Sequence, residues 1–370
     1  MSLLFPQKQP SLEPTLKQRL ALNAHRVLRD EAIREHQMTT LFWECTLRCN
    51  LHCAHCGSDC RVESGVEELS VEEFLGVIDR LTPHIDPHKL LVIFTGGEAL
   101  VRRDIEEAGL ALYHRGYPWG IVTNGMLLDE KRLESLQRAG IHTATVSLDG
   151  FEEVHNKMRG HPLSYARAWR AIQLLSEAED IVWDVVTCVH PLNYDSLPAL
   201  RQQLIDQGVK RWRLFSIFPV GRAAENSQLQ LSDRQYYDLM NFICETNEQG
   251  KLLAQYGCEG YLGRFEGSVR EQFYMCRAGV NIASILCDGS ISACPSIRFD
   301  HKQGNIHHDD LWEVWQNRFE QYRDRSWAKR GPCATCKSWK NCLGNGMHLR
   351  DDNGDLLVCH LDRLKAGAHR

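Results

Sequence analysis

Short runs rich in β-branched and aromatic residues alternate with amphipathic stretches over the first two-thirds of the chain. Helical periodicity is clear at residues 71–81 and 127–139, and Ser70 with Glu73 forms a capping-box pattern at the start of the first stretch. Runs that favour strands occupy residues 40–44, 90–95, 120–123, 143–147, 182–188 and 212–218. Strands that alternate with helices in this way form parallel sheets. We therefore predict an α/β fold with six βα units curved into an open (β/α)6 barrel.

The pattern changes in the second half of the chain. A helix is predicted at residues 232–250, and residues 309–322 favour another. Between them, short β-rich runs at 283–286 and 290–293 flank an Asp-Gly pair, which is a hairpin signal. We therefore predict four regions, an N-terminal tail and helix (1–38), the barrel (39–223), a helical bridge (224–275) and a small α+β module (276–370).

Length and charge limit the classes of function. The chain has 370 residues, 43% of them hydrophobic, which is enough for one large core and a smaller second one. A formal net charge of -5 provides no broad basic surface, so we expect no nucleic-acid partner. Residues 1–10 lack the layout of a secretory signal, and no apolar run is long enough to span a membrane. We expect a cytoplasmic protein.

Cysteine is the residue type that points to chemistry. The chain has 15 cysteines, and the cytosol keeps thiols reduced, so metal ligation explains them better than disulfides. Cys188, Cys244 and Cys258 stand alone, and we interpret them as small buried hydrophobic residues. The other cysteines fall into two groups, one at Cys45, Cys49, Cys53, Cys56 and Cys60 and one between Cys276 and Cys359.

The first group follows a predicted strand directly. Cys49, Cys53 and Cys56 have the spacing C-x3-C-x2-C on one loop. Three thiolates can bind three corners of a 4Fe–4S cube and leave the fourth iron open for a ligand. A zinc or purely structural site is the alternative that this spacing leaves open. Cys45 and Cys60 fall outside the spacing, and we interpret them as thiols near the cluster that are not ligands.

Four motifs in order resemble the radical S-adenosylmethionine (SAM) superfamily. Each follows a predicted strand, and they are the cysteine loop, Thr95-Gly96-Gly97-Glu98, Thr123-Asn124-Gly125 and Ser147-Leu148-Asp149-Gly150. The resemblance covers residues 39–223 and implies a partial TIM barrel. It also implies that a 4Fe–4S cluster and SAM together generate a 5'-deoxyadenosyl radical.

The resemblance also assigns roles to individual residues. It implies that Gly96, Gly97 and Glu98 hold the amino group of SAM, and that Ser147 and Asp149 bind its ribose. Thr123 and Asn124 are assigned a SAM contact, although turn formation explains them equally well. Arg159 is assigned to the SAM carboxylate. His55 stands where many relatives have an aromatic residue that contacts adenine.

The C-terminal cysteines resemble the SPASM domain, an auxiliary-cluster module of many radical SAM enzymes. That resemblance implies a second 4Fe–4S cluster on Cys333, Cys336, Cys342 and Cys359. It also implies auxiliary ligation by Cys276 and Cys294, but Gly346 occupies the position where the family pattern has a further cysteine. A second auxiliary cluster therefore stays open, and Cys287 has an unusual spacing for the missing ligand. A zinc knuckle is the alternative for this region.

These resemblances imply a peptide- or protein-modifying enzyme. The expected reaction begins with hydrogen-atom abstraction and ends in a crosslink, an oxidation or an epimerisation. Expected partners are a precursor peptide or small protein, bound without a leader-binding domain in the chain, and an electron donor such as a flavodoxin or ferredoxin. One alternative is a radical SAM enzyme for a small molecule such as a porphyrin-like precursor. Another is a non-catalytic metal scaffold or redox sensor.

Overall fold

The computed structural model describes residues 12–257, 260–297 and 302–369. Residues 1–11 of the predicted tail and the isolated Cys258 lie outside the described residues. The strands are β1 Thr40–Thr46, β2 Leu91–Gly96, β3 Trp119–Thr123, β4 Thr143–Ser147, β5 Val182–Val189, β6 Arg211–Ser216, β7 Leu253–Tyr256, β8 Ile282–Ile285, β9 Ser290–Ser292 and β10 Gly304–Asn305. The α-helices are α1 Leu16–Glu35, α2 Val71–Leu81, α3 Ile105–His114, α4 Glu130–Arg138, α5 Glu152–Arg159, α6 Ser164–Glu177, α7 Pro191–Tyr194, α8 Leu197–Asp206, α9 Asp233–Glu248, α10 Leu311–Asn317, α11 Glu320–Arg323, α12 Trp339–Cys342 and α13 His360–Ala368.

All of these strands belong to one sheet, in the order β10-β9-β8-β1-β2-β3-β4-β5-β6-β7. Neighbours from β1 to β7 pair in parallel, as the predicted βα units require. The predicted open, partial barrel is therefore confirmed. The sheet is longer than predicted on both edges, because β7 adds to β6 and β8 pairs in parallel with β1, where Thr40 is aligned with Ile282.

The two faces of the sheet have different environments. On one face, Trp43 of β1 stacks on Phe74 of α2 with ring centroids 4.1 Å apart, and both side chains are fully buried. This face carries the main core between sheet and helices. On the other face, which we call the lumen, Thr145 of β4 and Asp184 of β5 are half-buried. Side chains alternate along a strand, so polar lumen residues do not interrupt the core.

Local sequence signals agree well with the helix boundaries. Ser70 accepts a hydrogen bond from the Glu73 backbone N–H, and the Glu73 carboxylate accepts one from Ser70 N–H, so the predicted capping box is present. The helix predicted at 309–322 is interrupted instead. It breaks after Asn317, and buried Phe319 then packs against Trp315 with ring centroids 5.0 Å apart. Tertiary packing overrides the helical pattern there.

The helical bridge predicted at 224–275 also contains strand β7. The C-terminal helix α13 packs on α9 of this region, where the Cβ of any residue larger than glycine at Gly367 would lie 2.1 Å from the Asp233 carbonyl oxygen. Arg363 of α13 also donates to the Asp233 carboxylate at 3.0 Å. These contacts join the C-terminal helix to the barrel. No helix among the described residues is long and apolar enough to cross a bilayer.

Candidate iron–sulfur and SAM site

Three predicted ligands lie together on the loop that follows β1. Cys49, Cys53 and Cys56 line one cavity at the carboxyl end of the parallel strands. Most of the residues predicted to bind SAM line the same cavity, namely His55, Gly96, Gly97, Glu98, Thr123, Asn124, Ser147 and Arg159. The structure therefore brings together residues from four separate strand ends. Their individual roles toward SAM stay predictions.

The cysteine loop is fixed at both ends. Cys49 N–H donates to the Arg61 carbonyl oxygen at 2.7 Å, so the loop returns to its starting point. Arg222 holds the middle, because its Nε donates to the Cys53 carbonyl oxygen at 2.8 Å and its Nη1 to the Cys60 carbonyl oxygen at 2.9 Å. The sequence patterns did not identify Arg222 as part of the site. A loop pinned in this way presents its thiols in a fixed arrangement.

The glycine pair after β2 serves close backbone packing. A Cβ at Gly96 would lie 2.0 Å from the Thr46 carbonyl oxygen, and one at Gly97 would lie 2.2 Å from the Arg48 carbonyl oxygen. Gly96 also has a φ of +135°, which side chains disfavour. Glu98 N–H donates to the Arg48 carbonyl oxygen at 3.0 Å. The two loops can approach this closely only because both residues lack a side chain.

The Glu98 carboxyl is buried and held by the next strand end. Its Oε1 accepts from Thr123 Oγ1 at 2.7 Å, and its Oε2 accepts from Asn124 N–H at 2.7 Å. Burial raises the pKa of Glu98 in spite of these hydrogen bonds. Asn124 also donates through Nδ2 to Asn50 Oδ1 at 2.8 Å and to Cys49 Sγ at 3.9 Å. Thr123 and Asn124 thus position both the carboxyl and the cysteine loop.

Asp149 differs in its placement from the other predicted residues. It is fully buried, and it does not line the cavity. Its Oδ1 accepts from Cys188 N–H at 2.9 Å, and its Oδ2 lies 2.7 Å from Arg159 Nε and 3.3 Å from His55 Nε2. Burial would raise its pKa, but the Arg159 and His55 side chains hold the pKa of Asp149 well below its usual range. The carboxylate faces protein groups and orients two residues that do line the cavity.

Two further residues support this region, and the sequence patterns did not identify their roles. His155 Nδ1 accepts from Asp149 N–H at 2.9 Å, and Asn193 Nδ2 donates to the Asp149 carbonyl oxygen at 2.8 Å. Burial lowers the pKa of His55 to about 4, and it lowers the pKa of His155 to about 3. Both imidazoles are therefore neutral at pH 7.

The thiols of the first group are distinguished by their environments. Burial raises the pKa of Cys49 to about 12 and also raises that of Cys53. Hydrogen bonds from the Cys60 thiol, and from the backbone N–H groups of Cys60 and Ser58, lower the pKa of Cys56. A buried thiol must lose its proton to bind a metal, so cluster binding here releases protons.

A second cavity contains the other complete thiol set. Cys333, Cys336, Cys342 and Cys359 all line this cavity, which has a volume of about 300 Å³. Asn345 N–H donates to Cys342 Sγ at 3.2 Å, and the buried Arg350 donates through Nη2 to Cys333 Sγ at 3.8 Å. Burial raises the pKa of Cys342 to about 11 and that of Cys359 to about 12.

Cys276 and Cys294 do not line that cavity. Cys276 borders a small pocket of about 20 Å³ that also touches Cys342. Cys287 points elsewhere, with its Sγ donating to the Glu67 carbonyl oxygen at 3.9 Å on the side of β1. These three cysteines therefore do not belong to the four-thiol set that lines the larger cavity.

The spacing of the thiols suits clusters better than single ions. In a tetrahedral zinc site with Zn–S bonds of about 2.3 Å, the sulfurs lie within about 4 Å of one another. Within the described part of the chain, the one group of three candidate ligand atoms within 4.8 Å of one another is His55, Asp149 and Cys188. Neither cysteine set meets that condition. Soft thiolate donors at wider spacing fit a polynuclear iron–sulfur cluster better than a single zinc ion.

An open parallel barrel with a three-thiol loop at its carboxyl edge, joined to a four-thiol module, is the architecture of an iron–sulfur enzyme that uses SAM. The radical SAM superfamily model matches residues 43–204, and the SPASM model, an iron–sulfur cluster-binding domain, matches residues 276–337. The chain therefore carries a radical SAM domain and a SPASM domain. It is a radical SAM enzyme whose cofactors are SAM, a 4Fe–4S cluster and an auxiliary iron–sulfur cluster.

Similar proteins have more than one kind of activity. The AdoMet-dependent heme synthase of Methanosarcina barkeri is 27% identical over 333 residues, which cover 85% of this chain and 93% of that protein. The PqqA peptide cyclase of Bradyrhizobium diazoefficiens is 25% identical over 304 residues, which cover 80% of this chain and 77% of that protein.

Solved structures with this fold include anSMEcpe with bound AdoMet, with a TM-score of 0.70, 19% identity and coverage of 90% of this chain and 95% of that chain. Streptococcus suis SuiB bound to S-adenosylmethionine has a TM-score of 0.68 and 17% identity. The match covers 90% of this chain and 78% of the SuiB chain. At these identities, the likeness establishes the fold.

Proposed function

We propose that this enzyme abstracts a hydrogen atom from a peptide or protein bound in the barrel lumen, and that the product is a crosslinked, oxidised or epimerised residue. The observation that carries the proposal is a polar, charge-balanced layer in the lumen beneath the cluster cavity. The layer consists of Thr145, Asp184 and Arg213.

The three side chains of this layer form one hydrogen-bonded unit. Thr145 Oγ1 donates to Asp184 Oδ1 at 2.7 Å and accepts from Arg213 Nη2 at 2.9 Å. Arg213 also pairs with Asp184 through Nε. Thr145 is two residues before Ser147, which lines the cluster cavity, so the layer lies about 7 Å deeper along the same face. A substrate held there would have its reacting carbon next to the SAM site.

The charges of this layer favour a peptide over a substrate with many carboxylates. A porphyrin-like precursor with several carboxylates requires unpaired cations, because buried charges need partners. The charge of Arg213 is neutralised by Asp184. Arg211, on the same strand face, forms an ion pair with Glu271, with Nη1 2.9 Å from Oε2. Near the cysteine loop, Arg159 and Arg222 are likewise paired, with Asp149 and Asp59. Paired donors and acceptors suit amides and polar side chains.

Relatives that act on peptides support the same substrate class. The PqqA peptide cyclase of Granulibacter bethesdensis is 24% identical over 326 residues. Structures with this fold include anSMEcpe with the Cp18Cys peptide and SuiB bound to its precursor peptide SuiA. An extended peptide could enter this lumen because the barrel is open at its edge.

In this proposal, the residues around the cavity have distinct tasks. Cys49, Cys53 and Cys56 hold the 4Fe–4S cluster, and Glu98 and Arg159 bind the amino acid part of SAM. When bound, the cluster and SAM supply a radical able to take a hydrogen atom from a substrate C–H bond. The barrel wall excludes water and holds that C–H bond within contact distance.

The C-terminal set serves electron transfer in the same proposal. An auxiliary cluster would be held by Cys333, Cys336, Cys342 and Cys359. When bound, it would supply an acceptor for the electron that a substrate radical gives up, with loss of a proton to solvent, to complete a net two-electron oxidation. Four thiolates close all corners of a cube, which suits electron transfer more than substrate ligation. A flavodoxin or ferredoxin supplies the electron that starts each turnover.

A second candidate substrate is a tetrapyrrole, because the heme synthase of Methanosarcina barkeri matches 85% of this chain at 27% identity. A Fe-coproporphyrin III synthase of the same organism is 27% identical over 330 residues. The charge-balanced lumen weighs against this candidate.

One experiment separates the candidates. The anaerobically reconstituted enzyme is incubated with SAM and dithionite, together with either synthetic peptides encoded by neighbouring genes or iron coproporphyrin III. We expect 5'-deoxyadenosine formation to rise with a peptide, and that peptide to lose two hydrogens or to gain deuterium from D2O. A rise with the porphyrin alone would overturn the peptide proposal. Absence of 5'-deoxyadenosine under all conditions would favour the scaffold or redox-sensor alternative.

A further inference from the structure

The segment that carries three of the four auxiliary-cluster cysteines is strongly basic. From Arg325 to Arg350 the chain has six lysines and arginines and no aspartate or glutamate. The chain as a whole has a formal net charge of -5, so this segment departs from the overall charge balance. A local surplus of one sign attracts partners of the opposite sign.

Three of these six cations are available at the protein surface. Arg325 and Arg350 are buried, and Arg330 Nη2 lies 3.4 Å from Asp355 Oδ1. The exposed members without such a pair are Lys329, Lys337 and Lys340, which we call the lysine patch. Within the described residues, none of the three forms an ion pair with a carboxylate.

The lysine patch borders the four-thiol cavity. Lys337 lines that cavity and directly follows the half-buried Cys336. Lys340 lies on α12, which carries another of the four cysteines. Lys329 lies shortly before the helical turn at 331–333, which carries a third. The patch is therefore located where the wall of the cavity reaches the protein surface.

The carboxylates that line this cavity are already paired. Glu13 Oε2 lies 3.7 Å from Arg19 Nη2, and Asp362 Oδ1 lies 2.8 Å from Lys365 Nζ. Glu13, Asp362 and Lys365 line the cavity together with Lys337. Because these pairs cancel, the lysine patch leaves a net positive charge beside the four thiols.

We infer that the lysine patch is the docking surface for an acidic one-electron carrier protein that takes up the electron from the auxiliary cluster. The oxidised carrier gains the one electron that the reduced cluster loses, and no atom is transferred. The inference rests on the proposed function, because it takes the four cysteines of this cavity as ligands of an electron-accepting cluster.

The chemistry behind the patch favours a carrier protein over other anionic partners. Lysines attract anionic lipids and acidic peptides as well, but neither of these uses a redox centre directly beneath the surface. Opposite charges speed the encounter more than they strengthen the complex, which suits a carrier that must leave after each transfer. A small charged patch is sufficient, because redox partners form small, transient interfaces.

The test measures binding of a purified, oxidised flavodoxin, an acidic flavin protein, to the complete, reconstituted enzyme. The patch variant is Lys329→Gln/Lys337→Gln/Lys340→Gln, which removes three exposed charges and keeps all four thiols. The matched control removes three other exposed lysines, and it is Lys131→Gln/Lys210→Gln/Lys251→Gln. Iron analysis first establishes that the wild type and both variants contain the same amount of cluster. Surface plasmon resonance at low and at high salt then gives the Kd of each complex.

We expect the Kd of the patch variant to be about tenfold higher than that of the wild type at low salt. The difference should shrink at high salt, because salt screens exposed charges. The control should bind like the wild type. Equal affinity of the patch variant and the wild type at low salt would overturn the inference. An equal loss in the control would also overturn it, because net charge and not this surface would then govern binding.

A second measurement tests whether the docked protein receives the electron. The enzyme is photoreduced and mixed with oxidised flavodoxin, and the absorbance of the flavodoxin semiquinone is followed. We expect slower semiquinone formation with the patch variant, and also with Cys333→Ala/Cys336→Ala, which disrupts the auxiliary ligand set. Equal rates for the wild type and this cysteine variant would overturn the carrier role. Neither measurement uses a substrate, so failure of the proposed function would be seen separately, as an absence of peptide-dependent 5'-deoxyadenosine formation.

Discussion

Asp149 and Arg159 form a buried ion pair directly behind the cluster loop, with Arg159 Nε 2.7 Å from Asp149 Oδ2. The same guanidinium donates through Nη1 to Cys53 Sγ at 3.9 Å. Asp149 is fully buried and Arg159 nearly so, so each charge depends on the other for its stability. The carboxylate thus acts on the cavity through Arg159 and His55, the two lining residues that it orients.

The first prediction follows from this pair. Asp149→Asn keeps an acceptor for Cys188 N–H but leaves Arg159 without its countercharge. We expect a loss of roughly 3 kcal/mol in the free energy of unfolding, because breaking a buried pair is costly. SAM affinity should fall about tenfold, which corresponds to ~1.4 kcal/mol. Thermal unfolding and equilibrium dialysis with labelled SAM measure the two effects.

Asp180→Asn is the matched control, since Asp180 is an exposed carboxylate that accepts from Gln137 at 3.0 Å. It should change neither quantity. If Asp149→Asn binds SAM as tightly as the wild type does, Asp149 does not position Arg159 for SAM binding.

The second prediction concerns the glycine pair. Gly97→Ala would bring a Cβ to 2.2 Å from the Arg48 carbonyl oxygen, so the cysteine loop must move. We expect a cost of about 1–3 kcal/mol, as for overpacked cores, and weaker iron loading of the first cluster. Gly65→Ala is the control, because nothing lies within 4 Å of its added Cβ. Equal iron content in the two variants after identical reconstitution would show that the close approach is dispensable.

Features that depend on neighbouring residues were predictable from the sequence, and features that depend on distant pairing were not. The Ser70–Glu73 capping box was predictable because all its groups lie within one helical turn. The alignment of Thr40 with Ile282 was not, because a pairing across more than two hundred residues leaves no local pattern.

The same distinction holds within the site. Strand ends followed by the Gly96-Gly97-Glu98 and Thr123-Asn124 segments predicted which residues meet, because parallel strands end at one edge. Side-chain direction beyond a strand end has no periodicity, and Asp149 turned out to face Arg159 and His55. Cys60 was predicted to lie near the cluster, and it does line the cavity. Arg222 was missed as a site residue, because its contacts depend on the closure of the cysteine loop.

The third prediction concerns the number of clusters. Two 4Fe–4S clusters give about eight irons per chain, and the small pocket beside Cys276 leaves little room for a third. The double variant Cys276→Ala/Cys294→Ala should keep about eight irons, whereas Cys333→Ala/Cys336→Ala should keep about four. Iron and sulfide analysis after reconstitution measures both. Twelve irons in the wild type, reduced by the first double variant, would mean that Cys276 and Cys294 do hold a cluster.

The fourth prediction tests the lumen layer with a subtle change. Thr145→Val removes the hydroxyl that donates to Asp184 and accepts from Arg213, while volume is nearly conserved. Two hydrogen bonds within the layer are lost, each worth about 1 kcal/mol, so peptide-dependent 5'-deoxyadenosine formation should fall at least about fivefold at subsaturating peptide. SAM affinity should be unchanged, because Thr145 does not line the cluster cavity. Thr143→Val, two residues farther from that cavity on the same strand face, is the matched control.

A charge change in the same layer distinguishes the two substrate classes. Asp184→Asn removes the countercharge of Arg213 and leaves a cation in the lumen. If the natural substrate is a peptide that uses the balanced pair, the variant should lose peptide-dependent turnover. It should also gain affinity for iron coproporphyrin III, because a guanidinium that has lost this countercharge attracts carboxylates more strongly. Weaker porphyrin binding in Asp184→Asn, measured by absorbance titration, would mean that the lumen already recognises a tetrapyrrole and that the charge argument for a peptide fails.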